Sequence, residues 1–182
     1  MIRGNNINLR HINYDDLIDI HNLKNDLNEA GKHAVISIKS FNKLEKMYKE
    51  HGMITKDMEM MLITNKKDRI VGMIQRAKQQ SYSTGYELGF SIFKKSDRRK
   101  GYAYEALNLF TSYVFESNPI ERLELGTHIN NIGAQKLAEK CGYSLEGINR
   151  KACFIRGEVV DLKRYSIVRE EVKDLSEYLK KE

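Results

Sequence analysis

At 182 residues the chain can bury one core without disulfide or metal staples, and it reads as a single domain over 1–182 with a charged C-terminal tail over 171–182. Hydrophobic residues are 41% and charged residues 31%, no apolar run approaches the ~20 residues of a membrane span, and the opening MIRGNNINLR lacks a secretory apolar core. Membrane and secreted classes are set aside and a cytoplasmic location is expected; the net charge of +6 favours polyanionic partners (nucleic acid, a phosphate-rich cofactor, a ribosome surface) without choosing among them.

In chain order, Ile7–Arg10 is a short strand. Asn13 to Asp16 opens a helix, with Asn13 or Asp15 as cap and Leu17, Ile18, Ile20 and Leu23 as its apolar face. Lys24–Ser40 is polar and carries no clear period. Phe41–His51 is a second helix stopped by Gly52. Met58–Thr64 and Ile70–Gln75 are strands around the polar hairpin loop Asn65–Arg69.

The stretch from Tyr86 to Glu116 organises the rest. Tyr86, Leu88, Phe90, Ile92 and Phe93 form an aromatic-rich strand, and from Gly101 the spacing of Ala103, Ala106, Leu107, Phe110, Val114 and Phe115 predicts a helix that Asn118-Pro119 ends. Between them lies the basic hinge Arg98-Arg99-Lys100-Gly101-Tyr102-Ala103. A glycine-bearing turn at a helix N-terminus is an anion site, because free N–H groups and about +0.5 charge face outward there. Phosphate is the expected guest. No aromatic stacking platform interleaves the basic run, so nucleic acid is not the expected partner.

Glu121–Thr127 is the next strand. Asn130-Asn131 caps a helix whose apolar side is Ile132, Ala134, Leu137, Ala138 and Cys141, and Gly142 ends it. Tyr143–Ile148 and Cys153–Ile155 are strand-like, Arg156-Gly157 turns, and Val159–Val168 returns as a strand. Val172, Leu175 and Leu179 form a weak helical stripe in the tail. The order of elements gives an α/β fold with a mixed sheet. Cys141 and Cys153 are too few for a disulfide framework or metal site and read as reduced thiols, Cys141 as packing rather than a nucleophile. The histidines show no metal spacing, and His128 lies nearest the expected cleft. No metal is expected.

Arg98-x-x-Gly101-x-Ala103 after an aromatic strand, followed by Asn131-Ile132-Gly133-Ala134-Gln135-Lys136-Leu137-Ala138-Glu139-Lys140-Cys141-Gly142-Tyr143 after the next strand, resembles the GCN5-related N-acetyltransferase (GNAT) superfamily. Glu146-Gly147, Phe154 to Gly157, Asp161 and Tyr165-Ser166 resemble its ribosomal-protein (RimJ/RimL-like) branch. The resemblance runs roughly from Ile7 to Glu171. It implies a mostly antiparallel central sheet flanked by helices, with splayed central strands, and acetyl-CoA as co-substrate.

It further implies that amides of Arg98, Arg99, Lys100, Gly101, Tyr102 and Ala103 hold the pyrophosphate, and that Ser91, Ile92 and Phe93 pair with the pantetheine arm. The Ile92 N–H would carry the oxyanion and Asn131 would touch the cofactor arm. Glu87 sits where histone-modifying members carry their base. An amine of pKa ~10.4 is neutral only about once in a few thousand molecules at pH 7, so a base is worth ~10²–10⁴ in rate. The general acid has no obvious residue: Ala138 and Ala134 stand where members carry Tyr or Ser, leaving Tyr143, Tyr165 or water. The expected acceptor is a protein N-terminal α-amine, with a small-molecule amine (antibiotic, polyamine or amino-sugar) as alternative and a non-catalytic acyl-CoA-binding homologue as second alternative. Lys24–Ser40 and Ile148–Val160 would select it. The oligomeric state is open, a homodimer included.

Overall fold

A computed structural model describes residues 1–180. Its eight strands form one sheet: β1 (Ile2–Arg3), β2 (Ile7–His11), β3 (Met58–Asn65), β4 (Ile70–Ala77), β5 (Gly85–Ile92), β6 (Arg122–His128), β7 (Ser144–Ile155) and β8 (Glu158–Val168). Their spatial order is β1-β2-β3-β4-β5-β6-β8-β7. Every neighbouring pair is antiparallel except β5 and β6. The four helices are α1 (Leu17–Asn25), α2 (Phe41–His51), α3 (Tyr102–Ser117) and α4 (Ile132–Lys140). The expected mixed, mostly antiparallel sheet flanked by helices is what forms.

Side chains alternate across a strand, so each strand feeds two cores. The larger core holds Ile63, Ile74, Leu88, Leu123 and Leu125 of the sheet against Leu107, Phe110 and Val114 of α3 and Ala138 of α4. The smaller core, built from Leu62 and Met73, takes Leu17 and Ile20 of α1 together with Met53 and Phe93. Helices α3 and α4 therefore cover one face, and α1 and α2 the other.

Local signals explain the ends. The Ser40 hydroxyl accepts the Lys43 N–H at 3.3 Å and caps α2. Gly52 closes it with φ +58 and an N–H donated to the Tyr48 carbonyl at 2.7 Å. Asn131 Oδ1 accepts the Ala134 N–H at 3.2 Å and caps α4.

Three expectations change. Ile18 is 53% exposed and Ile132 is 54% exposed, because each lies in a first turn outside its helix's packed stripe. The two strand-like pieces at Tyr143–Ile148 and Cys153–Ile155 are one strand, β7, whose pairing with β8 slips at Leu145/Gly147 and Asn149/Cys153. The tail makes short 3₁₀ turns at Arg169–Glu171 and Leu175–Glu177 rather than a helix, while Val172, Leu175 and Leu179 still pack on the larger core. Lys24–Ser40 is mostly the irregular connection between α1 and α2. No helix of the described residues is long and apolar enough to cross a membrane.

Candidate active site

The site is a fork in the sheet. β5 and β6 pair only from Gly85/Arg122 to Leu88/Leu125. Beyond that point β5 keeps β4 and β6 keeps β8, but they no longer hold each other. The Phe93 N–H donates to the Val71 carbonyl at 3.0 Å. By alternation, Ser91 also faces β4, whereas the backbone of Phe90 and Ile92 faces the fork. The Ile92 carbonyl confirms this direction by accepting from Arg98 Nε at 3.4 Å. Of the three strand residues expected to meet the pantetheine, the structure directs only Ile92 into the fork. The Phe93 ring is buried in the smaller core.

The hinge follows β5. Asp97 is 2% exposed, and both its oxygens accept from Arg69 of the β3–β4 loop at 2.7 Å. Lys100 Nζ adds a contact at 3.5 Å. The Arg69 guanidinium holds the Asp97 carboxyl below its usual range, against the opposing effect of burial. Arg99 at φ +61 and Gly101 at φ +80 are both left-handed. Both lie in the turn between β5 and α3, a backbone conformation in which successive N–H groups form a concave nest for an anion. Gly101 precedes α3 with no side-chain cap, and nothing lies within 4 Å of where its Cβ would be. The first-turn amides of a 16-residue helix thus face open space.

Arg98 behaves differently from the rest of the run. Its N–H is bonded to the Lys95 carbonyl at 3.2 Å, and its guanidinium turns inward to the carbonyls of Phe93, at 3.1 Å, and Glu29. It fastens the α1–α2 connection to the end of β5. That connection is also tied by Arg156 to the Gly31 carbonyl at 3.2 Å and by the His33 ring, 4.4 Å from His128. His128 Nδ1 accepts the Asn130 N–H at 2.9 Å.

On the face opposite α3 and α4, Glu87 and Glu124 stand directly across the last paired rungs. Arg164 bridges them, at 2.9 Å to Glu87 and 2.6 Å to Glu124. Gln79 also donates to Glu87. Arg122 joins Glu124 and Glu146 at 2.9 and 2.8 Å, and with the Ser166 hydroxyl holds the Glu146 carboxyl below its usual range. A Cβ at position 126 would lie 2.9 Å from Arg164 and 3.1 Å from Glu87, so Gly126 makes room for this pair. A cavity of about 330 Å³, lined by Gln79, Glu124, Glu146, Gly147, Asn149 and Arg164, opens beside it. Three carboxylates against two guanidiniums leave this cluster a net acceptor of positive charge.

Neither tyrosine considered as general acid reaches the fork. Tyr143 is 2% exposed, bonds Thr111 Oγ1 at 2.7 Å, and burial pushes its phenol up. Tyr165 is fully buried, with its hydroxyl on Glu139 at 3.1 Å. Burial also pushes the Cys141 thiol up to about 12, which suits packing and not nucleophilic chemistry. Thr127 is a further residue at the fork. It lies on β6 just past the fork, 7% exposed, and its buried Oγ1 has no hydrogen-bond partner. By alternation with Leu123 and Leu125 it points to the side of α3 and α4. An orphan hydroxyl, a fork with Ile92 facing in, and an anion nest at one mouth fit a long phosphate-bearing thioester.

The family described as acetyltransferase (GNAT) domain matches residues 6–144. The chain belongs to the GNAT family. It is an acetyl-CoA-dependent N-acetyltransferase. The spermidine N(1)-acetyltransferase of Vibrio cholerae is 26% identical over 171 residues, 94% of this chain and 98% of that protein. A Bacillus subtilis protein named Probable N-acetyltransferase YjcK is 32% identical over 101 residues, 53% of each chain. The solved structure of the Vibrio cholerae spermidine N-acetyltransferase in complex with CoA and spermine superimposes with a TM-score of 0.81 at 25% identity, covering 91% of this chain and 97% of that one. These relatives correct the expected branch: they do not support the ribosomal-protein group, nor a protein N-terminus as acceptor.

Asp97 was missed, although an acid directly before a basic hinge is a visible signal. Arg164 and Thr127 carry none, since only the sheet register brings them there, and Gln79 lies in the loop after β4.

Proposed function

We propose that this GNAT enzyme acetylates a small aliphatic polyamine. The observation that carries this is similarity over nearly the whole chain to a spermidine N(1)-acetyltransferase. The chain's own chemistry supports it. The cavity beside Glu87 presents Glu124 and Glu146, and a polyamine's remaining ammonium groups need carboxylates of this kind.

In this reading the amides of Arg99 to Ala103 seat the pyrophosphate, and Arg98 braces the strand end beside them. Bound acetyl-CoA supplies an activated acetyl group and a thiolate leaving group. The Ile92 N–H faces the position where the thioester oxygen would lie. Asn131 contributes its side-chain amide on the far arm of the fork, and the Thr127 hydroxyl meets the cofactor arm. Glu87, fixed by Arg164 and Gln79 on the opposite face, receives the amine proton through water. Glu87→Gln is expected to lower kcat by roughly 10²-fold or more, with the KM for acetyl-CoA unchanged. An unaltered kcat would make Glu87 a structural partner of Arg164.

Thiol release from acetyl-CoA over a panel of spermidine, spermine, an aminoglycoside, an amino-sugar and a peptide with a free N-terminus tests the acceptor. The highest kcat/KM is expected for the polyamines. A peptide or sugar turned over faster overturns the proposal.

A further inference from the structure

A second cavity, of about 300 Å³, lies between α1, α2 and the sheet. Its wall is apolar and soft: Met47, Met60 and Met73 with Ile12 and Leu44, and the fully buried Met53 behind them. Methionine side chains are polarisable and adapt to irregular apolar guests. Lys24, Lys39 and Lys43 form part of the same lining.

The backbone of one of them, Lys39, is held in place. The Asn25 side chain grips the Lys39 backbone twice, through Oδ1 to its N–H at 3.0 Å and Nδ2 to its carbonyl at 2.9 Å. His21 Nε2 also contacts that carbonyl, at 3.1 Å. On α2, Lys46 pairs with Glu50 and Lys49 with Glu45, yet among the described residues no carboxylate pairs with Lys24, Lys39 or Lys43. Lys24 turns its ammonium to the Met73 sulfur at 3.7 Å. Although much of Lys24 meets solvent, the surrounding protein and the charge of Lys39 push its ammonium below the ordinary value. Three cations on an apolar cavity, without acids, suit a guest with one negative end.

We propose that this cavity binds a small amphiphilic carboxylate, its apolar body among the methionines and its carboxylate met by Lys24, Lys39 and Lys43. A polyamine is repelled by the same rim, and this cavity shares no lining residue with the proposed acceptor cavity, so the inference does not depend on that assignment. Burial of a tail supplies most of the affinity, and each charge-assisted contact sets the sign that is accepted.

The test is calorimetric titration of the purified protein with octanoate and with octylamine, which share a tail length and differ in head charge. Octanoate is expected to bind saturably, and octylamine about tenfold or more weaker. Saturating acetyl-CoA should leave octanoate binding in place. The double variant Lys39→Gln, Lys43→Gln should weaken octanoate about tenfold, and Met47→Trp, which fills the cavity, should abolish it. No octanoate binding, equal binding of the two probes, competition by acetyl-CoA, or variants that bind like the wild type would each overturn the assignment.

Discussion

Arg69→Ala is expected to lower Tm by roughly 5–10 °C, from about 2–3 kcal/mol of lost stability in a chain of this length. The reason lies in unequal exposure. Asp97 is 2% exposed while the Arg69 side chain is 47% exposed. Removing the arginine strands a buried carboxylate, whose desolvation has then to be met by Lys100 alone, at 3.5 Å. The figure is below the ~3–5 kcal/mol of a wholly buried pair because half of the bridge already faces water. The pH dependence has a definite sign. The folded Asp97 pKa is depressed, so its contribution is complete above the ordinary aspartate value of ~3.9 and is lost as pH falls through the lower, folded value. Thermal melts from neutral to acidic pH check this: the wild type should lose stability on that limb more steeply than Arg69→Ala. Because Asp97 directly precedes the nest, the variant should also raise the KM for acetyl-CoA.

Gly101→Val should raise the KM for acetyl-CoA roughly 10–100-fold while kcat at saturation and the KM for the amine change little. Nothing lies within 4 Å of the position a Cβ would take, so no clash is involved. The whole effect comes from φ +80, which costs an L-residue about 1–2 kcal/mol and a β-branched one more. The chain can escape by rotating the adjoining peptides, and that turns the amides away from the anion. Arg99, at φ +61, bears the same strain already, so Arg99→Gly should leave the KM near wild type and add stability. A Gly101→Val enzyme with unchanged KM for acetyl-CoA would remove the nest from the account.

Much of this was legible along the chain, because the signals were local. Asn131 and Gly52 bound helices through their own side chain or backbone freedom, and Gly101 sits in the left-handed region that a glycine there suggests. What stayed hidden depends on register. Ser91, Ile92 and Phe93 look alike as a strand end, yet alternation turns only the Ile92 amide into the fork. Glu87 was visible, but its partners Arg164 and Gln79 come from distant strands and loops. Arg98 reads as one more cation for phosphate; its guanidinium instead holds the α1–α2 connection, whose irregular backbone gives no periodic signal. That the relatives favour the small-molecule alternative over the protein N-terminus placed first has a different reason. The Asn131–Tyr143 block encodes a helix cap, an apolar stripe and a glycine stop, features of the cofactor side that say little about the amine.

Everything proposed for the fork depends on the seat of acetyl-CoA, and backbone amide NMR of the uniformly ¹⁵N-labelled protein titrated with CoA tests it directly. Large shift changes are expected at Ile92 and at Arg99 to Ala103, a smaller one at Asn131, and none around Met47 and Met60. Shifts confined to the methionine-lined cavity, with the hinge amides unmoved, would contradict it.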